Sequence, residues 1–130
     1  MINLDLTGRR AVVTGASLGI GEATVKELAD LGAEVIFCAR SADAVDALAA
    51  YGDKVTGLTA DMADRQSTEQ FLDAVEAGGP ADILVNNVGA SPSRNFLYMS
   101  DEDWEDLHEL NLLSAVRCTR RLLPAMRKQK

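Results

Sequence analysis

The apolar run Ala11-Val12-Val13 breaks off into Thr14-Gly15-Ala16-Ser17-Leu18-Gly19-Ile20-Gly21. Glycines at this density are costly inside a strand or a helix, so the segment reads as a sharp turn. Helical spacing resumes right after it, with Ile20, Val25 (or Thr24), Leu28 and Leu31 three to five residues apart. A buried strand, a glycine turn and a helix in that order open a strand–helix–strand unit. Such units demand a parallel sheet with helices packed on its faces.

The rest of the chain keeps the alternation. The pattern predicts strands over Arg10–Thr14, Glu34–Cys38, Lys54–Thr59 and Asp82–Val85. Between them it predicts helices over Gly19–Leu31, Ala42–Tyr51 and Asp64–Ala77, stopped by Gly32, Gly52 and Gly78-Gly79-Pro80. Phe71, Leu72 and Val75 should point inward from the third helix. Val88–Met99 reads as a loop containing Pro92. Ser100 to about Lys128 reads as one long helix, opened by a Ser100/Asp103 capping box, with Met99 stapled against Trp104. Its acids crowd the first turn and its basic residues the last, matching the helix dipole. Pro124 lies late enough to kink or end it. No internal repeat, low-complexity tract or linker interrupts the order. Residues 1–130 read as one domain, or part of one.

Composition narrows the partners. The net charge is −7, which disfavours nucleic acid and anionic membrane surfaces, since both require basic patches. No apolar run reaches membrane-spanning length, and Met1-Ile2-Asn3-Leu4-Asp5-Leu6 lacks the basic start and apolar core of a leader. Cys38 and Cys118 are far apart and outside any C-x-x-C pattern, so two free thiols in a reducing compartment are expected. These features point to a cytoplasmic protein. His108 lies on an acidic turn without partners at ligand spacing, so no metal site is expected.

Each glycine of the turn has a physical task. Gly15 lets the strand turn, Gly19 lets backbone approach a ligand closely, and Gly21 lets the helix approach the strand. The free N–H groups and dipole at the start of the following helix favour a pyrophosphate. A plain glycine-rich turn is the competing reading. The spacing G-x-x-x-G-x-G is neither G-x-G-x-x-G nor a P-loop, since no G-K-[ST] follows.

Four motifs in order give the chain its resemblance to the short-chain dehydrogenase/reductase family. Thr14 to Gly21 matches the family's TGxxxGxG cofactor motif. Asp61 follows the third strand, where the family places an aspartate near the adenine. Asn86-Asn87-Val88-Gly89 resembles its NNAG motif, with Val in place of Ala. Asn111 matches the helix asparagine of the catalytic tetrad. The resemblance covers essentially the whole chain. It implies a Rossmann-type doubly wound α/β sheet, here four strands in the order 3-2-1-4, ending before the family's fifth strand and leaving strand four as an edge. Residues 1–130 would then be a dinucleotide-binding domain that is incomplete at the carboxyl end.

The resemblance also implies site roles. Gly15, Ser17, Leu18, Gly19 and Ile20 would hold the phosphates, Asp61 and Met62 the adenine, and Asn87, Val88 and Gly89 the adjacent ribose side. Asn111 would hold a water in a proton relay. A carboxylate at the end of the second strand would accept from the 2′-OH of NAD, whereas a basic residue there pairs with the 2′-phosphate of NADP. Here that strand ends Cys38-Ala39-Arg40-Ser41. Arg40 offers a forked donor suited to phosphate and Ser41 a hydroxyl, so NADP is expected over NAD. The plainer alternative for Arg40 is a solvated surface arginine.

On a straight helical wheel Trp104, Leu107, Asn111, Ala115, Cys118, Leu122 and Ala125 share the face that should pack on the sheet. Asn111 would be a polar amide among apolar neighbours. Leu112, Val116 and Leu123 form a second apolar strip, and in the family this helix pairs with its copy in a dimer. Self-association through that strip is expected, the alternative being that it covers residues a longer chain would supply. The family's Y-x-x-x-K is not found: Val55 stands four residues after Tyr51, and Glu102 four after Tyr98. Two functions remain open. One is an NADP-dependent oxidoreductase acting on a small carbonyl or alcohol substrate, represented by its cofactor-binding half. The other is a non-catalytic nucleotide-binding or dimerisation module.

Overall fold

A computed structural model describes residues 4–129. Met1, Ile2 and Asn3, read above for leader features, lie outside the described residues. Four parallel strands, β1 (Arg10–Val13), β2 (Glu34–Ala39), β3 (Val55–Thr59) and β4 (Ile83–Val85), form one sheet in the order β3-β2-β1-β4. Val12 sits opposite Ile36 on one side and Leu84 on the other. The connecting helices are α1 (Gly19–Asp30), α2 (Ala42–Ala49) and α3 (Arg65–Ala77). Most ends fall within one or two residues of the predicted ones. Two of these shifts have local causes: Asp64 caps α3 from just outside it, and Asp82 turns its carboxylate onto the Arg10 amide before β4 begins.

The two-residue period of the strands divides the core. Ala11, Val13, Val35, Phe37 and Ala39 face α1 and α2, where Val25, Val45 and Leu48 cover them. Val12, Ile36 and Cys38 face the other way, under Phe71, Leu72 and Val75 of α3, inward as their spacing predicts. Phe37 and Leu72 are wholly buried, each contributing roughly 1.5–3 kcal/mol of burial. β4 is only half-buried along its length and forms one edge of the sheet.

The loop after β4 contains a short 3-10 turn over Phe96–Tyr98, where Phe96 meets the Trp104 ring edge-on. The long helix departs from its prediction. The capping box of Ser100 and Asp103 forms, and the Ser100 N–H holds the Asp103 carboxyl below its usual range. The helix then divides into α4 (Asp101–His108), a π turn (Glu109–Leu113) and α5 (Ser114–Lys128). α5 continues through Pro124 to Lys128.

The π turn absorbs one residue and so offsets α5 around the axis relative to α4. Cys118 and Leu122 do pack in the core beneath the sheet, and Ser114 and Arg117 are buried as well. Trp104, Asn111 and Ala125 are exposed, contrary to the straight wheel. Ile20, predicted on the inward face of α1, is also exposed. Arg121 ties α5 to α3 through Glu69, Asp73 and Glu76. Cys38 and Cys118 are buried free thiols.

Candidate nucleotide-binding cleft

The carboxyl ends of the strands open into a cleft of about 380 Å³. This is where ligands sit in open parallel sheets. The turn after β1 forms its base. Gly15 and Gly19 hold φ of +68° and +63°, a region L side chains rarely adopt. A Cβ at Gly19 would meet nothing within 4 Å, so that glycine faces open space. Gly21 faces the opposite constraint: a Cβ there would lie 2.6 Å from Gly15 O and 2.9 Å from Ala16 Cα, and against the amide of Asn87.

Leu18, the residue before α1, supplies no side-chain cap. The first N–H groups of α1 are therefore left to water or a ligand. Glu22 in this turn is paired with Lys26 at 2.7 Å, which offsets its repulsion of an anion.

The loop after β4 forms the far wall. Thr14 is buried, and its hydroxyl accepts from the N–H groups of Asn87 and Val88 at 3.1 and 3.3 Å. Asn87 Nδ2 donates to Gly15 O at 2.9 Å. Asn86 turns outward and donates to the Thr119 hydroxyl. Asn111 clamps the end of the loop: its Oδ1 accepts from Ala90 N and its Nδ2 donates to Ala90 O, both at 2.8 Å. Its amide is satisfied by backbone at the surface, rather than buried among apolar neighbours.

Of the residues singled out from sequence, Gly15, Ser17, Leu18, Gly19 and Ile20 line the near side of the cleft. Arg40 and Met62 line its β2–β3 end, and Asn87, Val88 and Gly89 its far wall. Arg40 is exposed and makes no hydrogen bond or ion pair among the described residues. Three others do not line the cleft. Ser41 caps α2 through Ala44 N. Asp61 is exposed and accepts from Ala63 N at 3.0 Å. Asn111 reaches the cleft only through Ala90, which does line it.

Gly21, Cys38, Ala39, Ala60, Ala90 and Leu110 line the cleft without having been singled out as site residues. The strand-end position of Cys38, Ala39 and Ala60 is a signal that finds them. Leu110 gives none, because its direction depends on the π turn. Burial pushes the Cys38 thiol up to about 12, so it is a neutral part of the cleft floor. Among the described residues no Asp or Glu lines the cleft. Among the described residues no three His, Cys, Asp or Glu gather to hold a metal, and no helix is long and apolar enough to cross a membrane.

Comparison with known proteins agrees with this architecture. The short chain dehydrogenase family profile matches residues 9–130. The 3-oxoacyl-[acyl-carrier-protein] reductase FabG of Haemophilus influenzae is 38% identical, over 96% of this chain and 52% of its own length. Nodulation protein G of a Rhizobium species is 41% identical over 96% of this chain and 52% of its own. The structure of L-sorbose reductase from Gluconobacter frateurii, complexed with NADPH and L-sorbose, superposes with a TM-score of 0.91 at 33% identity, covering 98% of this chain and 51% of that one. This chain, which spans about half the length of these relatives, belongs to the short-chain dehydrogenase family.

Proposed function

We propose that residues 1–130 are the dinucleotide-binding domain of a cytoplasmic, NADP-dependent oxidoreductase acting on a small carbonyl or alcohol substrate. The observation that carries this is the pairing, in one cleft, of an uncapped helix start with Arg40 at the tip of β2 and no carboxylate among the lining residues. The helix start suits a pyrophosphate, and Arg40 a 2′-phosphate. The bound cofactor would supply hydride chemistry. Gly15, Ser17, Leu18, Gly19 and Ile20 would hold its phosphates, Met62 the adenine, and Asn87, Val88 and Gly89 the adjacent ribose side. Ser41 and Asp61 would act from outside the lining, Ser41 by fixing the start of α2 beside Arg40, and Asp61 by shaping the turn that presents Met62. Asn111 would hold the end of the loop. Relatives that reduce a 3-oxoacyl group or a ketose in their names support the carbonyl class.

The exposed strip of Leu112, Val116 and Leu123 would bind a second copy of the chain. Antiparallel packing would bring the acidic start of α4 to the basic end of α5, which supports this partner. The 130 residues contain no Y-x-x-x-K. For these residues taken alone, that favours a second reading, a module that binds nucleotide or dimerises without turnover.

Titration of the 130-residue protein with NADPH and NADH tests the proposal. NADPH should bind at least about tenfold tighter, a difference of about 1.4 kcal/mol, and Arg40→Ala should remove most of that gap. Equal affinity for both cofactors would sink the NADP assignment, and failure to bind either would sink the nucleotide site.

A further inference from the structure

The π turn over Glu109–Leu113 carries Asn111, and Asn111 holds Ala90. Something must keep that turn from relaxing into the commoner α register. Ser114 N–H reaches five residues back to Glu109 O, and the Ser114 hydroxyl donates to Leu110 O at 2.6 Å. Arg117 spans the whole segment: its Nη2 donates to both carboxylate oxygens of Glu109 at 3.0 Å.

This ion pair depends on the register. Eight residues of α-helix turn through about 800°, leaving the two side chains some 80° apart around the axis. With one residue absorbed in the wide turn, the separation behaves as seven residues, about 700°, or within some 20° of two full turns. Glu109 and Arg117 share a face only while the π turn is present. Arg117 is 7% exposed, and its Nη1 has no partner among the described residues. A buried guanidinium with a bare donor is an expensive way to fill space. Its placement across the π turn gives it a task.

We propose that Arg117 is a positioning residue. Its ion pair with Glu109 holds the π register that aims Asn111 at Ala90, and so fixes the loop Asn87–Ala90 that walls the cleft. The effect on the backbone stands by itself, while its bearing on nucleotide binding rests on the reading above.

Amide hydrogen exchange by NMR on the 130-residue protein tests this without any ligand. In Glu109→Gln and in Arg117→Met, Ala90 N–H should exchange at least tenfold faster relative to the core amides of Val12 and Ile36. The charge-swapped pair Glu109→Arg with Arg117→Glu should restore most of the protection. Glu109 is the more exposed partner, so Glu109→Gln keeps the test open if Arg117→Met does not fold. Ala90 protection that is unchanged in Glu109→Gln, or that falls only in step with Val12 and Ile36, would overturn the proposal. Parallel NADPH titrations separate the two claims. Wild-type protein that does not bind NADPH overturns the functional reading, and the exchange data still decide this one.

Discussion

Asn87 donates through Nδ2 to the carbonyl of Gly15 at 2.9 Å, which bonds the loop after β4 directly to the turn after β1. Both walls of the cleft are thus one hydrogen-bonded unit, with the Thr14 hydroxyl accepting from the backbone N–H groups of Asn87 and Val88. These bonds hold the backbone of the two loops at a set separation.

Gly21→Ala should therefore damage the site more than a single methyl suggests. The new Cβ would lie 2.6 Å from Gly15 O and would press on the Asn87 amide. Gly15 O is backbone, and the Asn87 amide can give way only by losing its bond to that carbonyl. Overpacking of this kind costs about 1–3 kcal/mol. We expect a lower Tm and NADPH affinity weakened at least about tenfold, or about 1.4 kcal/mol. Gly19→Ala, at φ +63° in open space, should cost only about 1 kcal/mol of backbone strain. A Gly21→Ala protein that bound NADPH as the wild type does would show that the two loops move apart freely.

The sequence was most legible where the signal is local. Glycines punctuate the strands and helices, and the strand period sorts Val12 from Val13 into separate layers. The near side of the cleft follows from the same turn. Asn111 was legible as a residue of interest but not in its surroundings. The wheel assumed a constant 3.6-residue period, and the π turn breaks that period at Asn111 itself. Ile20 misled for a different reason: it has helical spacing, but it sits in the first turn of α1 and faces the open cleft. Ser41 and Asp61 are polar residues beside the cleft, and local capping by backbone amides claims both side chains.

Arg10 should matter for stability and not for cofactor choice. It is 8% exposed at the opposite end of the sheet from the cleft. Its Nη1 donates to Val75 O and Gly79 O, both at 2.7 Å, closing the end of α3, while Nε pairs with Glu34 at 3.2 Å. Arg10→Met keeps the aliphatic stem but takes the guanidinium donor from Gly79 O, at about 1–3 kcal/mol if that carbonyl is left unsatisfied, while Val75 O keeps the Gly78 N–H at 3.2 Å. A clear drop in the denaturation midpoint is expected, with the ratio of NADPH to NADH affinity unchanged. A shift in that ratio would mean that the sheet transmits strain to the cleft.

The buried thiols set an alkaline limit. Burial raises Cys38 to about 12 and Cys118 to about 11, from an ordinary value of 9.0. Above pH 9 the unfolded chain gives up these protons and the folded chain keeps them, so stability falls as pH rises. The slope is about 1.4 kcal/mol per pH unit for each thiol until its folded value is reached. Below pH 9 the contribution is complete. Urea midpoints measured from pH 7 to 10.5 should hold level and then decline, and Cys38→Ala should flatten the decline. At pH 8 the native protein should be slow toward a thiol reagent, with both cysteines reacting once it is unfolded. Fast native labelling would contradict their burial.

Leu112, Val116 and Leu123 stand 49%, 42% and 44% exposed along one side of the long helix. Large apolar side chains in a row on a helix surface are a common mark of an interface. The opposed charges at the two ends of the helix make an antiparallel pairing self-complementary. If a second copy covers the strip, the wild-type protein should sediment as a dimer or larger species at tens of micromolar. Val116→Glu combined with Leu123→Glu should sediment as a monomer. Because both positions are exposed within the chain, the intrinsic stability of that monomer should change by less than about 1 kcal/mol. High salt should weaken the wild-type assembly, since charges at the helix ends are screened over about 10 Å at 0.1 M. A wild-type protein that stays monomeric, or a double variant that assembles equally well, would remove the strip as the contact between copies.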